Sequence, residues 1–221
     1  MSYYSPLSFA RTSINRAIVA DFTERYDDDT GWTLSANMTI SSGVLNYTAV
    51  PRTPETSFKS LGLTLSDTLW YADWDYTETA DTATDNFSWG VFCLCAGTGN
   101  PRTATQDAMM WRVVENHTDY RILITGRDGS TDTNSAQSSD ILQSASKRFP
   151  RLKRTSSTGA AGQIFSDSAR TSELVTGVTV TIDSLDAQSL THIHHASDTT
   201  SNSETVTAEM DNSKVFNAVA P

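Results

Sequence analysis

Cysteine is nearly absent from this chain: 221 residues contain two, Cys93 and Cys95. A disulfide-stapled scaffold is thereby excluded, because small stapled domains carry a dense cysteine framework. The pair sits in an apolar run with Trp89, Val91, Phe92 and Leu94. In a strand, residues two apart share a face with Cα atoms roughly 6–7 Å apart, and a bridge across one intervening residue strains the backbone. Both are expected as free thiols packed like small hydrophobes. Two thiols make no zinc site without histidines, and His117, the nearest, lies in a polar segment.

Positive charge is also scarce. Lys and Arg number 16 against 26 Asp and Glu, which gives a formal net charge of −10 and a pI near 4.7. Nucleic acid is not expected as a partner, because a phosphate backbone requires clustered cations. Long apolar runs are missing, so no membrane insertion is expected. Residues 1–20 contain Arg11 and Arg16 and lack the continuous apolar stretch of a secretory signal. There is no Gly-rich phosphate loop after a strand, no Gly-x-Ser-x-Gly elbow and no Cys-His pair of catalytic type.

What is present is strand chemistry. Thr and Ser are abundant, 38% of residues are hydrophobic and 9% aromatic, a composition that favours strands over helices. From Asp21 to Tyr47 the chain reads DFTERYDDDTGWTLSANMTISSGVLNY, in which an acidic turn, a Gly-Trp entry and a Ser-Ser-Gly turn separate short alternating segments. Strands are predicted near 17–23, 31–40, 43–50, 57–65, 68–79, 86–96, 108–115, 119–126, 148–155, 162–167, 175–182, 189–195 and 205–217. The polar stretch 128–146 is predicted as a long loop, or as a short helix near Ser138 to Ser144. Many short strands with polar turns indicate a jelly roll or related antiparallel sandwich. We divide the chain into an N-terminal segment, 1–20, and a β-sandwich, 21–221. The segment carries Tyr3, Tyr4 and Phe9, and is either an arm that packs on a neighbour or an edge strand along its own sandwich.

Three stretches carry a family resemblance: DDDTGWTLSANMTISSGVLNY, the run from Arg151 to Ile182, and SLTHIHHAS taken with AEMDNSKVFN. They resemble the concanavalin A-like (laminin-G-like) jelly-roll modules of phage, archaeal-virus and environmental proteins. The matching positions are Leu152 to Thr155, Phe165 to Asp167 and Met210 to Asn212. The resemblance covers roughly residues 21 to 217. It implies an all-β, concanavalin A-like jelly-roll β-sandwich of two antiparallel sheets. It says less about activity, because this fold hosts lectins, glycosidases, lyases and spacers alike.

The segment Leu69 to Glu78 places Trp70, Ala72, Trp74 and Tyr76 on one strand face, with Tyr71, Asp73, Asp75 and Thr77 on the other. The first face is core. On the second, Tyr71, Asp73 and Asp75 are candidates for stacking on and hydrogen-bonding a sugar. Glycosidases of similar fold carry three acidic residues on alternating positions, with acid and nucleophile about 5–5.5 Å apart. Here the third position is Thr77, so no catalytic residues are assigned and the protein is expected not to be an enzyme.

His192 and His194 share a strand face as i, i+2 imidazoles, the spacing of a two-histidine metal site, but no third ligand follows from spacing. They are read as exposed surface histidines. The triple Asp27-Asp28-Asp29 lacks the order of a dedicated calcium loop and is read as a solvated turn. No cofactor is expected; the resemblance allows calcium at the sandwich edge with its ligands unassigned. The basic strand Lys147 to Arg154 places Arg151 and Lys153 on one face and Leu152 and Arg154 on the other. Lys147, Arg148, Arg151 and Lys153, with Tyr3, Tyr4 and Phe9, are the candidates for subunit docking, against the alternative of a solvated face.

The first functional expectation is a non-enzymatic virion structural protein, made in the host cytoplasm and displayed on the particle surface. Its partners would be other virion proteins, copies of itself and host surface glycans. The alternative is a stand-alone or adhesin-derived carbohydrate-binding module acting extracellularly. A glycosidase or polysaccharide lyase ranks last.

Overall fold

A computed structural model describes residues 19–51, 56–82, 87–116, 119–139, 141, 146–174, 180–182, 186–195 and 204–217. Among these residues there are fifteen strands and no helix. One sheet has eight strands in the order β13 (Val180–Ile182), β12 (Ala160–Phe165), β11 (Phe149–Arg154), β6 (Trp70–Asp81), β15 (Thr205–Phe216), β4 (Val44–Pro51) and β3 (Met38–Ser41), with β1 (Phe22–Glu24) also paired to β15. The other has seven, in the order β10 (Thr131–Asn134), β9 (Asp119–Asp128), β8 (Ala108–Asn116), β7 (Phe87–Cys95), β14 (His192–His195), β5 (Ser57–Ser60) and β2 (Trp32–Thr33). All the pairings are antiparallel.

Period-2 alternation builds the core between the sheets. On β6, Trp70, Ala72, Trp74 and Tyr76 point inward and are at most 1% exposed. From the facing sheet, Phe92 lies flat on Trp74 with centroids 4.1 Å apart, and Trp111 meets Trp74 edge-on at 5.5 Å. Each such aromatic contributes on the order of 2–3 kcal/mol through burial. The last strand, β15, closes the sandwich between β6 and β4. Its inward residues are Val206, Ala208 and Met210 on the first half, then Ser213 and Val215 on the second. The switch of parity occurs at a break in register between Asp211 and Lys214, where Asn212 adopts φ 49°. Asn tolerates that left-handed conformation better than most residues.

Two segments depart from the sequence expectation. The predicted strand 31–40 is divided between sheets: β2 lies in the seven-stranded sheet and β3 in the eight-stranded one. The stretch predicted as loop or helix begins with β10 on the edge of β9. Beyond it the amides of Ser135, Ser138 and Ile141 donate to the carbonyls of Ile124, Ile122 and Tyr120. The Ser135 and Ser138 hydroxyls accept from the amides of Ile124 and Ile122, both at 3.0 Å. Three residues therefore match two of β9, and serine oxygens stand in for backbone carbonyls. A polar composition that reads as loop is here an irregular edge.

A second, smaller apolar cluster lies on the outer face of the seven-stranded sheet: Cys93, Cys95, Ala108 and Met110, all fully buried. Both cysteines are free thiols, as their spacing predicts. The connection 96–107 is tied to that same face. Gly97 O accepts from His194 Nε2 at 2.8 Å, and Ala104 O accepts from Arg127 Nε at 3.2 Å.

Candidate functional site

The outward row of β6 sits in a network of ion pairs. Arg151 faces Asp73 directly across the β11–β6 ladder and donates to both carboxylate oxygens, Nε to Oδ1 at 2.7 Å and Nη2 to Oδ2 at 2.9 Å. Arg170, from the turn after β12, places Nε 3.4 Å from Asp73 Oδ1 and Nη2 3.3 Å from Asp75 Oδ1. Asn212 Nδ2 donates to Asp75 Oδ2 at 3.1 Å. The Arg151 guanidinium lies 4.9 Å from the Tyr71 ring and 5.7 Å from the Phe165 ring. Tyr71 is stacked on Phe216 at 4.3 Å. Tyr71 and Asp73 are thus buried on an outer face by their own neighbours. Burial, followed by the Asp73 charge, raises the Tyr71 pKa.

The other docking candidates are dispersed. Lys147 is exposed, with Nζ 3.6 Å from Asp211 Oδ2. Arg148 is buried, bridged through its backbone to Tyr76, and its guanidinium lies 5.8 Å from the Tyr120 ring. Lys153 is half-buried, and burial followed by the Arg151 charge lowers its pKa. Tyr3, Tyr4 and Phe9 lie outside the described residues.

The histidines are not the exposed pair the sequence suggests. His192 is half-buried, but His194 is fully buried, because the 96–107 connection is anchored on it. A carbonyl only accepts, so His194 Nε2 carries the proton toward Gly97 O, and Nδ1 accepts from Thr56 Oγ1 at 3.2 Å. His195, in the core, has the opposite tautomer. Its Nδ1 faces Val91 O at 3.3 Å, and Nε2 accepts from Tyr26 OH at 3.0 Å. Ser213 Oγ completes the chain, 2.7 Å from Tyr26 OH. Burial lowers the His194 pKa to about 4 and that of His195 to about 3. Both nitrogens of each ring are engaged. Among the described residues no three His, Cys, Asp or Glu side chains gather as a metal site, so calcium is given no ligands.

An open polar cleft lies at the seam of the two sheets, where β1 of one approaches β5 of the other. It has a volume of about 420 Å³ and is lined by Thr23, Glu24, Arg25, Asp27, Asp28 and Lys59. Its floor is an ion pair: Lys59 Nζ lies 2.6 Å from Glu24 Oε2, while Glu24 Oε1 accepts the Tyr26 amide at 2.8 Å. The Lys59 stem crosses Gly31, whose φ is +79° and whose Cβ, if present, would lie 3.3 Å from Lys59 Cε. Lys59 Nζ is 5.9 Å from the Trp32 ring. On the rim, Asp28 Oδ1 accepts the Thr30 amide at 2.8 Å, and hydrogen bonds from the Thr30 backbone and side chain lower the Asp28 pKa. In the sequence alone this region is an acidic turn, Asp27-Asp28-Asp29, exposed to solvent. The one signal pointing elsewhere is Lys59, one of only four lysines, placed in the middle of a strand.

No family model matches the sequence, and no curated protein matches it. Solved structures match the fold. The VIP36 exoplasmic/lumenal domain in its Ca2+/Man-bound form aligns over 93% of this chain and 93% of its own, with TM-score 0.64 and 10% identity. A legume lectin-like domain from Entamoeba histolytica aligns over 93% of this chain and all of its own, with TM-score 0.59 and 10% identity. The Emp46p carbohydrate recognition domain in its potassium-bound form aligns over 92% of this chain and all of its own, with TM-score 0.57 and 12% identity. The fold is therefore a concanavalin A-like, lectin-type jelly-roll β-sandwich, and identities this low establish the fold alone.

Proposed function

We propose that this protein is a non-enzymatic glycan-binding module. The observation that carries the reading is the likeness of more than nine-tenths of the chain to a carbohydrate recognition domain, that of Emp46p, and to the VIP36 exoplasmic/lumenal domain in its Ca2+/Man-bound form. The carboxylates add support. Asp73 has both oxygens held by Arg151, and Asp75 has one held by Arg170 and the other by Asn212. A nucleophile needs an unpaired oxygen, and neither carboxylate offers one. The test is a glycan array probed with the full chain, followed by a turnover assay on each glycan retained. Saturable binding to a subset without cleavage is the expected result. Binding to none, or release of product, rejects the reading.

The setting we propose is the surface of a virus particle, with synthesis in the host cytoplasm and contacts to other virion proteins or to copies of itself. Its support is the sequence resemblance to modules of phage and archaeal viruses; the other setting is a free extracellular module. Light scattering on the full chain separates them. A closed trimer or larger symmetric assembly fits a displayed component with built-in subunit contacts, and a monomer at moderate and high salt speaks for the solitary module.

A further inference from the structure

We propose that the glycan site is the seam cleft between β1 and β5, and that it takes an uncharged sugar. This rests on the glycan-binding reading above and gives it a location and a ligand class. The cleft volume of about 420 Å³ falls in the range of roughly 300–1,000 Å³ typical of small-molecule sites. All six lining residues are polar. A ligand there is held chiefly by hydrogen bonds, which suits a polyol.

The wall offers donors and acceptors in the mixture a sugar uses. Lys59 Nζ has three protons and gives one to Glu24. Arg25 and Asp27 are exposed, and among the described residues their side chains have no hydrogen-bond or ion-pair partner. A carboxylate accepts from two neighbouring hydroxyls at once, while a guanidinium and an ammonium donate to hydroxyl and ring oxygens. The floor is preorganised. The Glu24–Lys59 pair links the two sheets, and the Thr30 amide fixes the Asp28 carboxylate. The outer faces offer less. Tyr71 and Asp73 are covered by Arg151 and Phe216, and Cys93, Cys95, Ala108 and Met110 of β7 and β8 form a fully buried apolar cluster.

Charge sets the ligand class. Three carboxylates, Glu24, Asp27 and Asp28, stand against two cations, Arg25 and Lys59, so the cleft is negative within a chain that is itself at −10. A uronate, sialylated or sulfated glycan meets repulsion there, and a neutral one does not.

Isothermal titration of the full chain tests this, using the methyl glycosides of mannose, galactose, glucose and N-acetylglucosamine, any array hits, glucuronate and N-acetylneuraminate. The same titrations are repeated on Arg25→Ala and Asp27→Asn, whose exposed side chains leave the melting temperature unchanged. We expect a neutral sugar to bind, each variant to weaken it at least tenfold, and the acidic sugars to bind more weakly than the neutral ones. Undiminished affinity in both folded variants overturns the location while the glycan reading survives. Preference for the acidic sugars overturns the ligand class. Binding to no sugar in the panel or on the array removes the glycan reading and this site with it.

Discussion

Arg151 and Asp73 stand opposite each other on neighbouring strands and are joined by two parallel hydrogen bonds of 2.7 and 2.9 Å, with no more than a tenth of either side chain exposed. A candidate sugar ligand, Asp73, and a candidate subunit contact, Arg151, satisfy each other on the outer face of the eight-stranded sheet.

This pair predicts an asymmetry. Asp73→Ala strands the Arg151 guanidinium and removes a contact of Arg170, and should cost about 3–5 kcal/mol, as breaking a buried pair does. Arg151→Met should cost less, because Asp73 keeps Arg170 at 3.4 Å. Urea unfolding of the two single variants and the double variant measures both costs and their coupling. Equal losses that add without coupling would contradict the pairing.

The buried histidines predict a pH dependence. The folded pKa values of His194 and His195, about 4 and about 3, lie below the ordinary 6.5. Well above pH 6.5 both states are neutral at these positions and the two residues contribute nothing to the slope. As pH falls from 6.5 toward 4 the unfolded chain takes up protons that the native chain refuses, so stability falls, by up to about 1.4 kcal/mol per pH unit for each histidine. Urea midpoints at pH 7.5, 6.5, 5.5 and 4.5 should therefore fall slightly over the first interval and more steeply over the next two. A midpoint that is flat to pH 4.5, or a His195 ring resonance that titrates near 6.5, contradicts the burial.

The thiols should be inert. Cys93 and Cys95 are fully buried, and burial pushes the Cys93 thiol up to about 12, which leaves almost no thiolate at pH 8. A disulfide-exchange chromophore should label neither cysteine in the native chain within an hour and both in 6 M guanidinium. Rapid native labelling means that the 96–107 connection does not stay on the sheet.

The core hydrogen-bond chain is testable through one hydroxyl. Burial pushes the Tyr26 phenol well above its usual pKa, so it remains a donor to His195. Tyr26→Phe removes that donor and leaves His195 Nε2 and the Ser213 hydroxyl unsatisfied inside the core. The expected cost is about 2–4 kcal/mol, read from the shift in urea midpoint at constant slope. A loss below about 0.5 kcal/mol would show that the hydroxyl is dispensable.

Where alternation is strict, the sequence is a good guide. The inward set Trp70, Ala72, Trp74 and Tyr76, the shared face of Cys93 and Cys95, and the division of Leu152 and Arg154 from Arg151 and Lys153 all follow from period 2 and recur in the structure. Long-range partners are not legible in this way. Arg151 meets Asp73 across 78 positions, and the second arginine comes from a turn with no strand pattern. His194 looks exposed because nothing local signals that residues 96–107 return to the sheet. The seam cleft depends on Glu24 and Lys59, 35 positions apart and in different sheets, so its composition reads as an ordinary acidic turn until the sandwich is assembled.

The most direct test is a 1H–15N correlation spectrum of the full-length chain titrated with neutral methyl glycosides and array hits. Saturable shifts concentrated in the amides of Thr23 to Asp28 and Lys59 are the expected result. Shifts centred on Tyr71 to Asp75, or no shift with any sugar, would contradict it.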